Sequence, residues 1–234
     1  MSGVKYHIQP TAEALADAAA ERIASLLRAA LAERGAAALV ATGGSTPGPV
    51  YDRLARTDLG WSSVTVTLSD ERCVDPASSD SNERMVRERL LQGRAAAARF
   101  IPLKGEGGPE EDAAAASAAL AGLPRPVDVV LLGMGDDGHI ASLFPGSPAL
   151  AIGLDPGEQQ LCIAVPTGEG RAPPQPRLSL TLPLLKSAGR VILLFTGRKK
   201  FDVIEAALRH PDPHLYPVCA VLGAPGGVDV FCAS

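Results

Sequence analysis

Cysteine is scarce and dispersed. Cys73, Cys162, Cys219 and Cys232 lie far apart, and no two have C-x-x-C spacing. A zinc ribbon or a redox dithiol needs two close thiols, so neither is expected and the four read as reduced side chains, buried or free. Net positive charge is lacking too: 22 Lys and Arg stand against 26 Asp and Glu, a formal −4. No global basic field draws such a chain to nucleic acid or to an anionic membrane, so a phosphorylated ligand would need a local cluster of cations. No apolar run approaches the ~18 residues of a bilayer span. The opening Met-Ser-Gly-Val-Lys-Tyr-His has no apolar signal core. These absences together point to the cytosol.

What is present is an ordinary globular composition, 46% hydrophobic and 21% charged over 234 residues. That length suits one large α/β domain or two small ones. No repeat and no shift in composition marks a boundary, so a single domain over 1–234 is expected. From Thr11 to Arg34 the chain is rich in Ala, Leu, Glu and Arg, with Leu15, Ile23, Leu26, Leu27 and Leu31 approximating one face. This predicts a helix capped by Thr11 and closed by Gly35. Further helices are expected at Asn82 to Gln92, opened by an Asp80-x-x-Glu83 capping box, at Pro109 to Leu120, and at Phe201 to Arg209. Short apolar or β-branched runs predict strands at Ala36 to Ala41, Val64 to Leu68, Phe100 to Leu103, Val127 to Leu132, Leu161 to Val165, Val191 to Phe195 and Val218 to Leu222. Strands alternating with helices imply parallel β-α-β units and a sheet covered on both faces. Pro166 to Pro176, with four prolines and two glycines, reads as a loop: a mobile active-site loop or a plain connector.

Four constellations carry possible chemistry. Thr42-Gly43-Gly44-Ser45-Thr46-Pro47 follows a strand and opens a helix. Its glycines let backbone N–H groups approach phosphate or an oxyanion, and Ser45 or Thr46 can cap the helix. The same residues also suit a plain tight turn. The G-K-[ST] ending of a Walker loop is missing, and Pro47 stands where a nucleophile elbow has glycine. Ser69-Asp70-Glu71-Arg72 follows the strand ending at Leu68, where parallel sheets collect ligands. Its three charges can bind hydroxyls and phosphate, and Arg72 offers a fork that matches phosphate oxygens. Alone, it reads more readily as an ion pair. Gly133-Met134-Gly135-Asp136-Asp137-Gly138-His139 matches G-x-G-x-x-G, but Pro145 cuts short any helix after it and Val165-Pro166 closes the next strand with no acid. A dinucleotide site is therefore rejected. What remains is a strand-end loop presenting a histidine, the side chain best suited to general-base work near neutrality, with Asp136 or Asp137 to orient it. The last constellation is the pair Arg177 and Lys200, either of which could clamp a phosphate. His210 and His214 sit four residues apart, but Pro211 and Pro213 forbid a regular helix, so no metal geometry follows.

Together and in this order, these segments resemble the 6-phosphogluconolactonase family over roughly Ala36 to Leu208. The matching stretches are Gly-Gly-Ser-Thr-Pro, Asp-Glu-Arg-Cys-Val with Ser81-Asn82 downstream, Gly133 to Gly146 with its Ser142-Leu143-Phe144-Pro145-Gly146 continuation, and Arg177-Leu-Ser-Leu-Thr-Leu-Pro. The resemblance implies a three-layer α/β/α sandwich with a mostly parallel sheet, modified Rossmann-like, as in glucosamine-6-phosphate deaminase and ribose-5-phosphate isomerase. It implies hydrolysis of 6-phospho-D-glucono-1,5-lactone to 6-phosphogluconate, the second step of the oxidative pentose phosphate pathway. His139 would be the general base, Asp70 and Arg72 active-site residues, and Arg177 and Lys200 contacts to the substrate phosphate. Adding the reading of the loops, the expected catalytic set is His139, Asp70, Arg72 and Asp137. Gly43, Gly44, Ser45, Thr46, Arg177 and Lys200 form the substrate set. No metal or cofactor is expected, and the partner is a small phosphosugar lactone, with no nucleic acid or membrane and a monomer or weak homo-oligomer. Ile140 departs from the Thr frequent in lactonases, and Val228 to Ser234 lacks the Trp and acid often found near the family's end. An amino-sugar phosphate deaminase or isomerase is the near alternative, but Leu143-Phe144-Pro145 replaces the Asn-Glu-Pro of deaminases. A non-catalytic sugar-phosphate-sensing module is the distant one.

Overall fold

The computed structural model describes residues 3–168 and 173–233. The chain opens with β1 (Val4–Gln9), an unexpected, partly exposed strand at one edge of the sheet. Helix α1 (Ala12–Arg34) follows, with the Thr11 hydroxyl accepting the Ala14 N–H at 3.1 Å and Gly35 ending it at φ 71°. Leu15, Ile23 and Leu27 on its inner face are buried. Next come β2 (Ala37–Ala41), α2 (Gly48–Leu54), β3 (Val64–Leu68), β4 (Asp70–Arg72), α3 (Asn82–Arg89), β5 (Arg99–Phe100), α4 (Pro109–Leu120) and β6 (Val129–Leu132). The second half holds α5 (Leu150–Gly153), β7 (Cys162–Val165), β8 (Arg177–Leu180), α6 (Leu182–Lys186), β9 (Arg190–Thr196), α7 (Arg198–Arg209), α8 (Cys219–Leu222) and β10 (Val228–Ala233).

Seven strands form one parallel sheet in the order β1-β10-β9-β6-β2-β3-β5. Every residue of β2, β3 and β6 is buried, so helices and loops cover the sheet on both faces, as continuous apolar strands require. The order decides where a ligand can sit. From β2 the chain runs outward through β3 to β5; it then returns to β6, on the other side of β2, and runs outward through β9 to β10. Connections leave the carboxyl ends of β2 and β6 in opposite senses, which opens a crevice between them. The glycine loop after β2 and the His139 loop after β6 flank that crevice.

Several expectations are corrected. Val218 to Leu222 is not a strand: a five-residue apolar run fits either period, and between Pro217 and Gly223 it closes into the short α8. The true last strand, β10, is entirely buried despite carrying Asp229, because Arg22 and His7 meet that carboxylate at 2.8 and 3.2 Å. Leu161 to Val165 forms β7, but in a separate antiparallel sheet β4-β8-β7. Helix α3 is capped by Ser81, whose hydroxyl takes the Arg84 N–H at 3.1 Å, not by Asp80. It stops at Arg89, short of Gln92. Neither Ser45 nor Thr46 caps α2; Pro47 occupies that place with no side-chain bond.

Candidate active site

The first wall of the crevice is the loop after β2. Buried Tyr51 pins its start: the phenol accepts the Thr42 N–H at 2.8 Å and donates to the Thr42 carbonyl at 2.6 Å. Gly44 turns the chain at φ 103°, a region open to glycine at little cost. Gly43 is required for a different reason: a β-carbon there would overlap the Asn82 side-chain amide.

The second wall is the arm from β3 into β4. Asp70 is buried, and its carboxyl oxygens accept the Ser69 hydroxyl at 2.8 Å and the Ser142 hydroxyl at 2.7 Å. Glu71 points the other way, contrary to the reading of three charges facing a ligand. It accepts the N–H groups of Asn82 and Glu83 and the Ser81 hydroxyl, so it serves the start of α3. Burial pushes the Glu71 carboxyl up, against the lowering effect of those bonds. Arg72 pairs with Arg177 across the β4–β8 ladder. Burial, then the neighbouring Arg72 charge, lowers the Arg177 guanidinium from its ordinary value, and Asp70 at 4.0 Å opposes this. The Nε atoms of both arginines are buried and have no hydrogen-bond partner among the described residues. Two crowded cations with unused donors are suited to an anion.

The third wall is the loop after β6. No helix forms after Gly138: the Leu143 N–H returns to the Ile140 carbonyl, and Ala141 takes a left-handed φ of 48°. Asp137 is the residue that orients His139, with Oδ1 2.7 Å from the ring Nδ1 and 3.1 Å from the backbone N. Burial works against its ionisation, but the His139 hydrogen bond and charge prevail and bring the Asp137 carboxyl to about 2. A carboxylate can only accept, so Nδ1 carries the proton it shares with Asp137, and in the neutral ring the lone pair is on Nε2. Asp136 faces outward to Lys199 at 2.8 Å, and that bond lowers its carboxyl. A β-carbon on Gly135 would overlap the imidazole, so glycine there gives the ring its place. Phe144 packs against the ring at 4.3 Å between centroids. Unexpectedly, α8 buttresses this loop, because the Val218 N–H donates to the Gly138 carbonyl at 3.0 Å.

These walls enclose a cleft of about 270 Å³. It is lined by Gly43, Gly44, Ser45, Thr46, Asp70, Arg72, His139, Arg177 and Lys200, the last from the first turn of α7. Asp137 stands behind His139. Asn82 also lines the cleft, its Nδ2 donating to the Asp70 carbonyl at 2.9 Å; in the sequence it showed only as part of a matching stretch and a helix start. Residues 169–172 of the expected Pro166 to Pro176 loop lie outside the described residues. Among the described residues no three His, Cys, Asp or Glu side chains converge as metal ligands.

The family described as Glucosamine-6-phosphate isomerases/6-phosphogluconolactonase matches residues 10–231. A 6-phosphogluconolactonase of Caulobacter vibrioides is 45% identical over 210 residues, covering 90% of this chain and 88% of its own. One from Rhizobium meliloti is 44% identical over 217 residues, 92% of each chain. The crystal structure of a 6-phosphogluconolactonase from Shewanella baltica superposes with a TM-score of 0.93 at 39% identity, covering 100% of this chain and 99% of that one. The chain belongs to the glucosamine-6-phosphate isomerase/6-phosphogluconolactonase family.

Proposed function

We propose that this protein hydrolyses 6-phospho-D-glucono-1,5-lactone to 6-phosphogluconate, the second step of the oxidative pentose phosphate pathway. One observation carries the reading: a single cleft holds a carboxylate-oriented imidazole together with the cations Arg72, Arg177 and Lys200. Relatives that bear the name of this activity and match nearly the whole chain support it. Arg177 and Lys200 hold the phosphate, with Arg72 beside them. His139 Nε2 removes a proton from water as its oxygen attacks carbon 1 of the lactone. The N–H groups of Gly43 and Gly44 stabilise the oxyanion. The bond from carbon 1 to the ring oxygen then breaks, and that oxygen takes the proton back from the imidazolium. General-base catalysis supplies roughly 10²–10⁴-fold; orientation of the phosphate-anchored lactone supplies further acceleration.

The test is stopped-flow hydrolysis of freshly generated lactone, measured against a protein-free blank because the lactone also opens by itself. His139→Ala should lose about 10²-fold or more of the enzymatic rate with its fold intact; wild-type turnover would remove His139 from the mechanism. Ammonia release from glucosamine 6-phosphate would replace the lactonase reading with a deaminase, and phosphosugar binding without turnover would make the protein a sensor. We place the protein in the cytosol, whose reducing pool suits four unpaired thiols, and test this by fractionation. A monomer or weak homo-oligomer fits the scatter of Ile8, Ile152 and Leu215, the large apolar side chains exposed among the described residues.

A further inference from the structure

The three walls of the cleft are joined beneath its floor by one buried chain of hydroxyls around Asp70. Thr42, at the start of the glycine loop, lies 3.2 Å from Ser69 through its Oγ1. Ser69 donates to Asp70 Oδ1 at 2.8 Å, and Ser142 donates to Asp70 Oδ2 at 2.7 Å. The Ser142 N–H in turn donates to the Ser179 hydroxyl at 3.2 Å, on the strand that carries Arg177. Ser69, Ser142 and Ser179 are each completely buried. Ser142 is the one member that belongs to the His139 loop. Its own backbone reports a constraint, because Ala141, between Ile140 and Ser142, holds a left-handed φ of 48° that an alanine rarely adopts. Such a conformation persists where the surroundings over-determine it, and the two Ser142 bonds do so here.

We infer that Ser142 is a positioning residue for the proposed hydrolysis. Its hydroxyl latches the His139 loop to Asp70 and so fixes the separation between the base and the arginines of the anion site. The inference rests on the lactonase reading. A hydroxyl that only filled space would affect stability; a latch affects the alignment of base and bound lactone, where a displacement of ~1 Å can cost about 10²-fold in rate.

Ser142→Ala removes the donor with almost no change of volume. At a temperature well below unfolding, kcat should fall roughly 10- to 100-fold while KM changes less than about threefold. Ser142→Thr, which keeps the hydroxyl, should recover part of the lost kcat. In an Asp70→Ala background, which leaves the Ser142 hydroxyl no carboxylate to meet, the same alanine substitution should cost less than about twofold, because the latch is already broken. A readout independent of turnover is the His139 ring signal in ¹⁵N-histidine-labelled, ligand-free protein, assigned by loss in His139→Gln. It should shift or broaden in Ser142→Ala and stay in place in Ser142→Thr. Wild-type kcat with an unmoved His139 signal in Ser142→Ala overturns the latch, and so does an equal loss in both Asp70 backgrounds. A wild-type protein without lactonase turnover overturns the functional reading instead, and the ring signal then still decides whether Ser142 holds the loop.

Discussion

Replacing Asp137 by asparagine separates two jobs of one carboxylate, holding the His139 ring and supplying it with negative charge. Oδ1 lies 2.7 Å from Nδ1 and 3.1 Å from the His139 backbone N, and the amide oxygen of asparagine can accept at the same place. Ring orientation and tautomer should therefore survive while the charge is lost. The magnitude follows from the displacement of the Asp137 carboxyl from 3.8 to about 2. At ~1.4 kcal/mol per pH unit this is roughly 2.5 kcal/mol of preference for the charged form. The side chain is 27% exposed, and screening leaves about 1–1.5 kcal/mol of it. That attraction grows in importance as His139 takes up the proton of water, so Asp137→Asn should lower kcat about tenfold and leave KM nearly unchanged. Asp137→Ala, which also frees the ring, should cost at least about 10²-fold. Stopped-flow hydrolysis with the blank subtracted measures both. Wild-type kcat in Asp137→Asn would refute the electrostatic role. A loss as deep as that of His139→Ala would show that orientation or tautomer, not charge, is what the carboxylate provides. Stability gives a second check with a definite sign. A depressed carboxyl contributes stability that is complete above its ordinary 3.8 and fades as pH falls through about 2. Asp137→Asn should thus be less stable than wild type near pH 6 and equal to it at the acid extreme, as followed by urea unfolding.

Two further substitutions probe the other walls. Lys200→Ala should raise KM about tenfold or more and change kcat little, since it removes a charged contact to a phosphate distant from the reacting carbon; an unchanged KM argues against that contact. Gly135→Ala places a methyl group on the His139 ring and 2.7 Å from Asp137 Oδ1, so kcat should fall roughly 10²-fold with only a modest drop in melting temperature, and normal kinetics would show that the ring can move aside.

The amino-acid sequence alone determined the elements whose signals are local. The α1 periodicity with Thr11 and Gly35 at its ends, the β-branched run of β3 and the proline-opened α4 all stand where they were expected. So do the loops after β2, β3 and β6, each of which leaves the carboxyl end of a strand. Three things were decided only by tertiary structure. Val218 to Leu222 became a helix and β10 the last strand, because a short apolar run carries no period and the partner of Asp229 lies 207 residues away in Arg22. Among the charges of Asp70-Glu71-Arg72, Glu71 turned from the cleft because α3 folded onto it and offered the N–H groups of Asn82 and Glu83. The orienting carboxylate, open between Asp136 and Asp137 in the sequence, was settled by Lys199, which drew Asp136 outward across 63 positions of chain. Residue type names the groups able to do chemistry, but which face they turn to a ligand depends on partners that only the folded chain brings near.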